Sequence, residues 1–496
     1  MDEIQTPPSA AALIESMRDF GYSLETAVAD IIDNSITAGA KRISIMSSEA
    51  DSLMRIAIID DGCGMDRASL IAAMRPGSRN PLERRSKADL GRFGLGLKTA
   101  SFSQCRRVTV VSRINGETTA ACWDLDLVQA RDEWVVQIST DVSELPWIDR
   151  LGETGTMVLW EKLDRFAGEA AIQDDTAFGA YLNSRLSDVA IHLELVFHRF
   201  LDGEHRLKRV RMDFNNRPLV AFDPFNSENP ATSELPPEHI ELRMGDRVES
   251  IEVQAFVLPY FKKVSLAEWE KFAGQGGYLK NQGFYVYREK RLIIHGTWFN
   301  LALQKASTQL ARVRIDISNE LDAEWKIDVR KSYAQLPFVV RKRLREILER
   351  IEVTARQPIT GRGHVTPVSG VEPVWQRAVK QDAVTYSVNP AHPAFEAFSA
   401  DLDAASARKL LGLLHVISAA LPVDQIFSDL GSAPEKVRGE PVSHEFIDES
   451  MKVLMRRLRA DELTEDEITR VLELTPPYSD LLNSESFDFQ QLLKDS

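Results

Sequence analysis

Three short stretches near the N-terminus carry side chains whose types and spacing could handle a phosphorylated ligand. In ETAVADIIDNSITAGA, which starts at Glu25, Asp30 and Asn34 are one helical turn apart. On a helix that spacing projects a carboxylate and an amide from one flank. An amide oxygen is a hard ligand suited to Mg²⁺, which takes one or two protein groups and fills its octahedron with phosphate oxygens and water. A neighbouring carboxylate could orient or deprotonate a water aimed at a phosphate. Alone, the pair is more simply a solvated polar stripe. In RIAIIDDGCGM an apolar run ends in Asp60, Asp61, Gly62, Cys63, Gly64 and Met65. A carboxylate at a strand end can accept from an exocyclic amine, which makes Asp60 a candidate reader of adenine. The glycines let the backbone turn sharply and approach a ligand, although D-x-G-x-G by itself is a weak signal. In GRFGLGLKTAS, Gly91, Gly94 and Gly96 precede Lys98, Thr99 and Ser101 at the expected start of a helix, where backbone N–H groups bind phosphate. This is not a P-loop, because Leu97 separates Gly96 from Lys98 and the segment does not follow a strand. Nor is it a Rossmann fingerprint.

These side chains need elements to position them. Leu24, Ala27, Val28, Ile31 and Ile32 recur at helical spacing, so the first stretch reads as an amphipathic helix with one face buried. KRISIMS and LMRIAIID alternate as strands, and RRVTVVSRI, TTAACWDLDL, WVVQIST and GTMVLWEKL continue the pattern. An antiparallel run after such a start predicts an α+β sandwich and not a doubly wound sheet. Ser9 to Arg18 reads as a short helix with Ser9 as N-cap. The stretch RPGSRNPLERRSKADLGRFG is too polar to bury and reads as a functional lid or a disordered loop. Its Arg79, Arg84, Arg85 and Lys87 could meet phosphates or form a solvated charge run. Residues 176–200 return to helical spacing, with His192 and His198 read as structural.

The order D-x-x-x-N, D-x-G-x-G-M, G-x-x-G-x-G and a later G-T resembles the GHKL ATPases, the superfamily of gyrase, the chaperone Hsp-ninety, histidine kinases and MutL. IDNS-x-x-AGA and GRFGLGLKTAS are most similar to its MORC and MutL branches, suggesting a bacterial MORC-like ATPase. The likeness covers residues 20–160 strongly and 200–335 loosely. It implies a GHKL (Bergerat) sandwich, a mixed sheet with helices on one face, taking ATP and Mg²⁺. Carried over by position, it implies that Asn34 holds the metal and Asp60 reads adenine. Gly62, Gly64, Met65, Gly91, Gly94 and Gly96 would shape the pocket, Lys98 would meet phosphate, and Thr156 in GETGTMVLW would lie beside the adenine. Asp30 would be the catalytic base. It stands where the family commonly has Glu, one methylene longer, a departure that bears on the hydrolysis rate. Thr37 stands where MutL-like chains have Asp. The family's transducer domain sends a lysine to the terminal phosphate. In WKIDVRKSYAQLP, Lys331 is the first choice and Lys326 the second, with a plain surface lysine as the other reading.

At 496 residues the chain has room for about three domains. Its 44% hydrophobic and 27% charged residues are ordinary for a globular protein, and no apolar run is long enough to cross a membrane. The net charge of −14 argues against nonspecific coating of nucleic acid without excluding a local basic groove. Cys63, Cys105 and Cys122 lack zinc-ligand spacing, which fits a reducing compartment without a structural metal, and Cys63 is expected to pack. With no apolar leader in Met1 to Ala11, a cytoplasmic location is expected. The expected organisation is an ATPase domain at 1–200 with a lid at about 75–95 and a transducer-like α/β domain at 201–354, opened by KRVRMDFNNRPLV. A linker at 355–395 and a small all-α domain at 396–496 would follow. Phe338 to Val353 reads as a basic helix that is either phosphate-binding or solvated. The resemblance implies an ATP-driven, dimerising conformational switch acting in DNA transactions or prokaryotic phage defence. It would act as a homodimer, with DNA and a nuclease or helicase as further partners. The alternative is an ATP-sensing scaffold with little hydrolysis that regulates such a partner. A histidine kinase is disfavoured, since no helical hairpin with a phospho-acceptor histidine precedes the ATP domain.

Overall fold

The computed structural model describes chiefly residues 8–50, 53–77, 90, 96–165, 175–204, 207–244, 247–326, 335–360, 374–380, 383–392, 402–423, most of 451–460, and 463–474. The chain divides into two compact units, Met1–Ala355 and Arg356–Ser496.

The first unit begins with helix α1 (Ala10–Arg18), whose N-cap Ser9 accepts from the Ala12 N–H. Helix α2 (Leu24–Thr37) follows, held at its start by a reciprocal cap between Ser23 and Thr26. The apolar stripe read from the sequence is its buried face, with Ala27, Val28, Ile31 and Ile32 all withdrawn from solvent. Strands β1 (Arg42–Ala50) and β2 (Leu53–Asp60) form an antiparallel hairpin that sets Ile43 opposite Asp60. Then come α3 (Arg67–Met74), α4 (Gly96–Gln104), β3 (Arg107–Ile114), β4 (Glu117–Asp124), α5 (Leu125–Arg131), β5 (Gln137–Ser139) and β6 (Gly155–Glu161). They lead into α6 (Asp175–Val196), α7 (His198–Asp202), β7 (Arg211–Phe214) and β8 (Arg217–Pro218). The strands make an eight-stranded sheet in the order β5-β4-β3-β6-β2-β1-β7-β8. The β1–β7 pair is parallel and the others are antiparallel.

Period-two alternation divides this sheet into two faces. Ile43, Ile45, Ile58, Val110, Val158 and Trp160 pack with the helices in the main core. Met46, Ala57, Ile59, Val111, Met157 and Leu159 point the other way, beneath Val142, Leu145, Trp147 and Ile148 of an irregular segment. The fold is therefore α+β, a mixed sheet with its helices on one face. Two details differ from the sequence reading. The end of TTAACWDLDL leaves the strand because the Asp124 carboxylate accepts from the Asp126 N–H and caps α5. KRVRMDFNNRPLV, expected to open the second domain, forms β7 and β8 and extends the first sheet beside β1.

The second sheet contains β9 (Ser233–Glu234), β10 (Glu238–Met244), β11 (Arg247–Val257), β12 (Gly283–Arg288), β13 (Arg291–Thr297) and β14 (Ala311–Ile317). Its order is β10-β11-β14-β12-β13, with β9 on β11. Helices α8 (Leu266–Ala273) and α9 (Gly277–Asn281) lie between β11 and β12 in the chain. Phe256, Tyr285, Tyr287 and Leu292 of this sheet enter the same core as Phe197, Phe200 and Leu201, so the two sheets share apolar packing. Helix α10 (Phe338–Thr360) follows, longer than the basic stretch read from the sequence.

In the second unit, β15 (Trp375–Lys380) and β16 (Ala383–Val388) pair as a hairpin inside the stretch read as linker. Helix α11 (Ala404–Ala419) meets it where the Val388 N–H donates to Ser418 Oγ at 2.8 Å. Met451, Leu454, Met455 and Leu458 form a small core with Ile468, Val471 and Leu472 of α12 (Glu465–Leu474). No helix among the described residues is long and apolar enough to cross a membrane.

Candidate functional site

Because Asp60 is paired with Ile43, its side chain faces α2 at the end of β2. Oδ2 accepts from Ser35 Oγ at 2.7 Å, and Oδ1 accepts from the Gly62 N–H at 2.9 Å and the Thr156 N–H at 3.3 Å. A carboxylate has about four lone-pair directions, so these three donors orient it and leave capacity to accept from a ligand amine. Burial pushes the Asp60 pKa up, and the Asp61 charge adds to this, while the bonds from Ser35, Gly62 and Thr156 pull against it.

Two glycines let the backbone close around this carboxylate. Gly64 has φ +68°, and a Cβ there would lie 2.3 Å from the Arg113 carbonyl oxygen. Gly155 has φ +139°, and a Cβ there would lie 2.0 Å from the Asp60 carbonyl oxygen. Ser112 ties these turns together. Its Oγ accepts from the Met65 N–H at 2.7 Å, donates to the Gly155 carbonyl at 3.2 Å and sits 3.3 Å from Thr156 Oγ1. Neither Ser112 nor Gly155 was picked out as a site residue from the sequence. The signal available for Ser112 was a hydroxyl directly after the strand run VTVV.

Asp30 is almost fully buried, and Tyr22 Oη donates to its Oδ2 at 2.9 Å. One turn on, Asn34 is exposed and its Nδ2 donates to the Asp30 carbonyl at 3.2 Å, which leaves Oδ1 as the outward acceptor. Gly96 opens α4 directly against this pair, since a Cβ there would be 3.9 Å from Asp30 Oδ2. The base candidate, the metal-ligand candidate and a helix N-terminus are thus adjacent. An amide oxygen beside phosphate-binding N–H groups is a donor set that Mg²⁺ accepts. Among the described residues no group of three or more His, Cys, Asp or Glu could hold a metal, and a magnesium held through one amide and phosphate oxygens needs none.

Lys98 is placed differently from a phosphate-facing lysine. It is buried, and its Nζ donates to the Ala73 carbonyl at 2.8 Å, in the last turn of α3, where a cation is favoured. Lys326 is exposed with φ +45°. Gly91, Gly94, Lys331, Arg79, Arg84, Arg85 and Lys87 lie outside the described residues. Cys63, expected to pack, is exposed, while Cys105 and Cys122 are buried, and all three are free thiols. His198 is buried with Nε2 2.8 Å from Tyr287 Oη, a packing role.

The second sheet reaches this site through two arginines that no sequence spacing pointed to. Arg291 Nε lies 3.3 Å from Asp33 Oδ1 on α2. Arg288 makes a two-pronged pair with Asp322 at 2.7 and 2.8 Å, and its Nη1 donates to the Leu90 carbonyl at 2.9 Å. The Leu90 N–H donates to Thr37 Oγ1 at 3.3 Å. Residue 90 is therefore bonded through both of its backbone polar groups, one to α2 and one to β12.

A mixed sheet with helices on one face, a buried strand-end aspartate in a cradle of donors, and a carboxylate–amide pair at a helix N-terminus define an α+β fold with a site suited to a nucleotide. Residues 22–155 match the family model for histidine kinase-, DNA gyrase B- and HSP90-like ATPases. The match runs from Tyr22, which holds Asp30, to Gly155, and it supports a GHKL-type ATPase domain and ATP binding in this part of the chain. No curated protein matches the chain.

Proposed function

We propose that the protein is an Mg²⁺-dependent ATPase of the GHKL type that uses nucleotide binding to drive a dimerising conformational switch, in DNA transactions or prokaryotic phage defence. The observation that carries the reading is the Asp60 carboxylate, held by Ser35, Gly62 and Thr156 with capacity left for an adenine amine. Asn34 would hold Mg²⁺ through its outward amide oxygen, and a metal there would supply charge neutralisation for the phosphates. Asp30, one turn away, orients a water toward the terminal phosphate and takes its proton. Backbone N–H groups at the start of α4, with Gly91, Gly94 and Gly96, cradle phosphate. Lys98 joins them only after leaving the Ala73 carbonyl. By the family resemblance, Lys331 would be the lysine that meets the terminal phosphate. Placement in the MORC and MutL branches, the homodimer, and DNA with a nuclease or helicase partner rest on IDNS-x-x-AGA and GRFGLGLKTAS. A ligand that binds the closed state better than the open one shifts their balance only by that differential affinity, so dimer closure depends on ATP concentration.

One observation favours a second reading, an ATP-sensing scaffold with slow hydrolysis. Asp30 is short, buried and bonded to Tyr22, which restricts its access to water. The deciding experiment is steady-state phosphate release with Mg-ATP for the native chain, Asp30→Ala and Asp30→Glu, with nucleotide binding measured for each. Turnover lost in Asp30→Ala with binding retained supports the ATPase. Tight binding without turnover in the native chain selects the scaffold. Absence of nucleotide binding overturns both.

A further inference from the structure

A second concavity lies at the β1–β7 edge of the first sheet, lined in part by the strand face opposite the helices and in part by Leu201, Val210 and Met212 of the main core. Ile43 and Ile45 point into the main core, so Arg42 and Ser44 of β1 project from the other face. The parallel register sets Arg42 beside Arg211 and Ser44 beside Asp213, while Met212 and Phe214 enter the core. Arg150 arrives from the segment that covers the rest of this face, and Arg209 from the turn before β7. The four arginines line one pocket of about 620 Å³, with Pro218 and Leu219 on its apolar side.

Two of these arginines are fixed in place. Arg150 Nη1 donates to Asn216 Oδ1 at 2.7 Å, and Arg209 Nε donates to the Leu201 carbonyl at 2.9 Å. Each bond uses one of a guanidinium's five N–H donors. Elsewhere, Arg18, Arg199, Arg288, Arg291 and Arg314 are all paired with carboxylates. Around the pocket, among the described residues, none of the four guanidinium groups lies within 4.0 Å of a carboxylate, although the Arg42 backbone N–H donates to Asp61 Oδ1 at 2.8 Å. Asp213 shares the lining but accepts instead from Ser44 Oγ at 2.9 Å. In a chain with 74 acidic and 60 basic residues, four guanidiniums without a carboxylate counter-charge around one hollow favour an anion. Their planar forks match phosphate oxygens two at a time. The volume falls within the range of small-molecule sites, roughly 300–1,000 Å³, and all four arginines are exposed around it.

We propose that this pocket binds a small molecule carrying two or more phosphate groups, at a site separate from that of Asp60 on the helical face. The proposal does not depend on the ATPase reading. Calorimetric titration of the full chain with inorganic triphosphate, without Mg²⁺ and at fixed low salt, tests it. Saturable binding is expected, weakened about a hundredfold in Arg42→Gln/Arg211→Gln, at roughly tenfold for each charge-assisted contact. Arg150→Gln alone, on an exposed segment, is expected to weaken it about tenfold and serves if the double variant misfolds. Asp60→Asn is expected to leave it unchanged. Absence of saturable binding, equal binding by the arginine variants, or loss in Asp60→Asn would overturn the proposal. So would arginine-dependent binding of a short DNA duplex by a chain that ignores triphosphate, which would assign the face to a nucleic-acid backbone.

Discussion

Asp33 of α2 and Arg291 of β13 form an ion pair, Oδ1 to Nε 3.3 Å, with both side chains almost wholly withdrawn from solvent. Arg291 also donates to the Leu292 carbonyl at 2.7 Å and lies 5.4 Å from the centre of the Phe197 ring. Removing one member of a buried pair strands the other charge, so Asp33→Ala is expected to destabilise the chain by about 3–5 kcal/mol. Joint replacement, Asp33→Leu with Arg291→Met, should recover most of that loss because no charge is left behind. Denaturant unfolding of the three variants checks both. A loss below about 1 kcal/mol in Asp33→Ala would show that water reaches the pair.

Asn34 is exposed and its amide nitrogen is already bonded to the Asp30 carbonyl. Asn34→Ala should therefore remove the Mg²⁺-dependent part of ATP affinity while metal-free binding through Asp60 is kept. Titrations with and without Mg²⁺ separate the two, and a variant that retained the full magnesium effect would place the metal elsewhere.

For Asp60 the sign of the pH effect follows from burial. Its folded pKa is raised above the ordinary 3.8, so the folded state holds the proton longer than the unfolded chain does. Stability is thereby lost as pH rises from about 3.8 through the folded value. Asp60→Asn removes this cost and keeps an oxygen for the Gly62 and Thr156 donors. The variant should lose ATP binding yet unfold at an equal or higher denaturant concentration. Full ATP binding would contradict the role given to Asp60.

Gly64 and Gly155 both have positive φ and both lack room for a Cβ. Gly64→Ala and Gly155→Ala must move β3 and the end of β2 respectively, at a cost of about 3 kcal/mol or more each. Gly39→Ala makes a control, because its φ is +78° but nothing lies within 4 Å of the added Cβ. It should cost about 1 kcal/mol, the left-handed backbone penalty alone. Equal losses at all three sites would mean that crowding contributes nothing.

Burial pushes the His198 pKa well below its ordinary 6.5, with the neighbouring Arg199 and Arg314 charges adding to this and Asp223 and Glu204 opposing it. Here the unfolded chain binds the proton more readily, so stability is present above about pH 6.5 and falls as pH drops below it. The unfolding midpoint should decline between about pH 6.5 and 5, and the decline should flatten in His198→Phe/Tyr287→Phe, which removes the imidazole without orphaning the Tyr287 hydroxyl. An unchanged slope in that double variant would assign the acid sensitivity to other groups.

What the sequence made legible was local. The stripe Leu24, Ala27, Val28, Ile31, Ile32 located α2, and alternation located β1 to β4 and β6, because each pattern records one element's burial on its own. Asp60, Gly62 and Gly64 were legible for the same reason, as a strand that ends in a turn only glycine can make. Contacts between distant elements were not. Nothing in the spacing tied Asp33 to Arg291, or Leu90 to Arg288, since those pairs arise from how the second sheet packs on α2. KRVRMDFNNRPLV was legible as strand, turn and strand, but its partner was not, because the choice between β1 and a second sheet is made by long-range register. The hairpin Trp375–Val388 was hidden by a surrounding stretch rich in proline and glycine.

The antiparallel register that opposes Ile43 to Asp60 runs without a slip to Ala50 and Leu53 at the far end of the hairpin. Side chains alternate strictly along it, so loss or gain of a single residue inside β2 would turn Asp60 toward the open face, and one inside β1 would turn Arg42 toward the helices. Chain length between Lys41 and Asp60 is thus under tighter constraint than most of the side chains it carries. In descendants of this sequence, a deletion within β2 should abolish the Asp60 site and a deletion within β1 the arginine pocket.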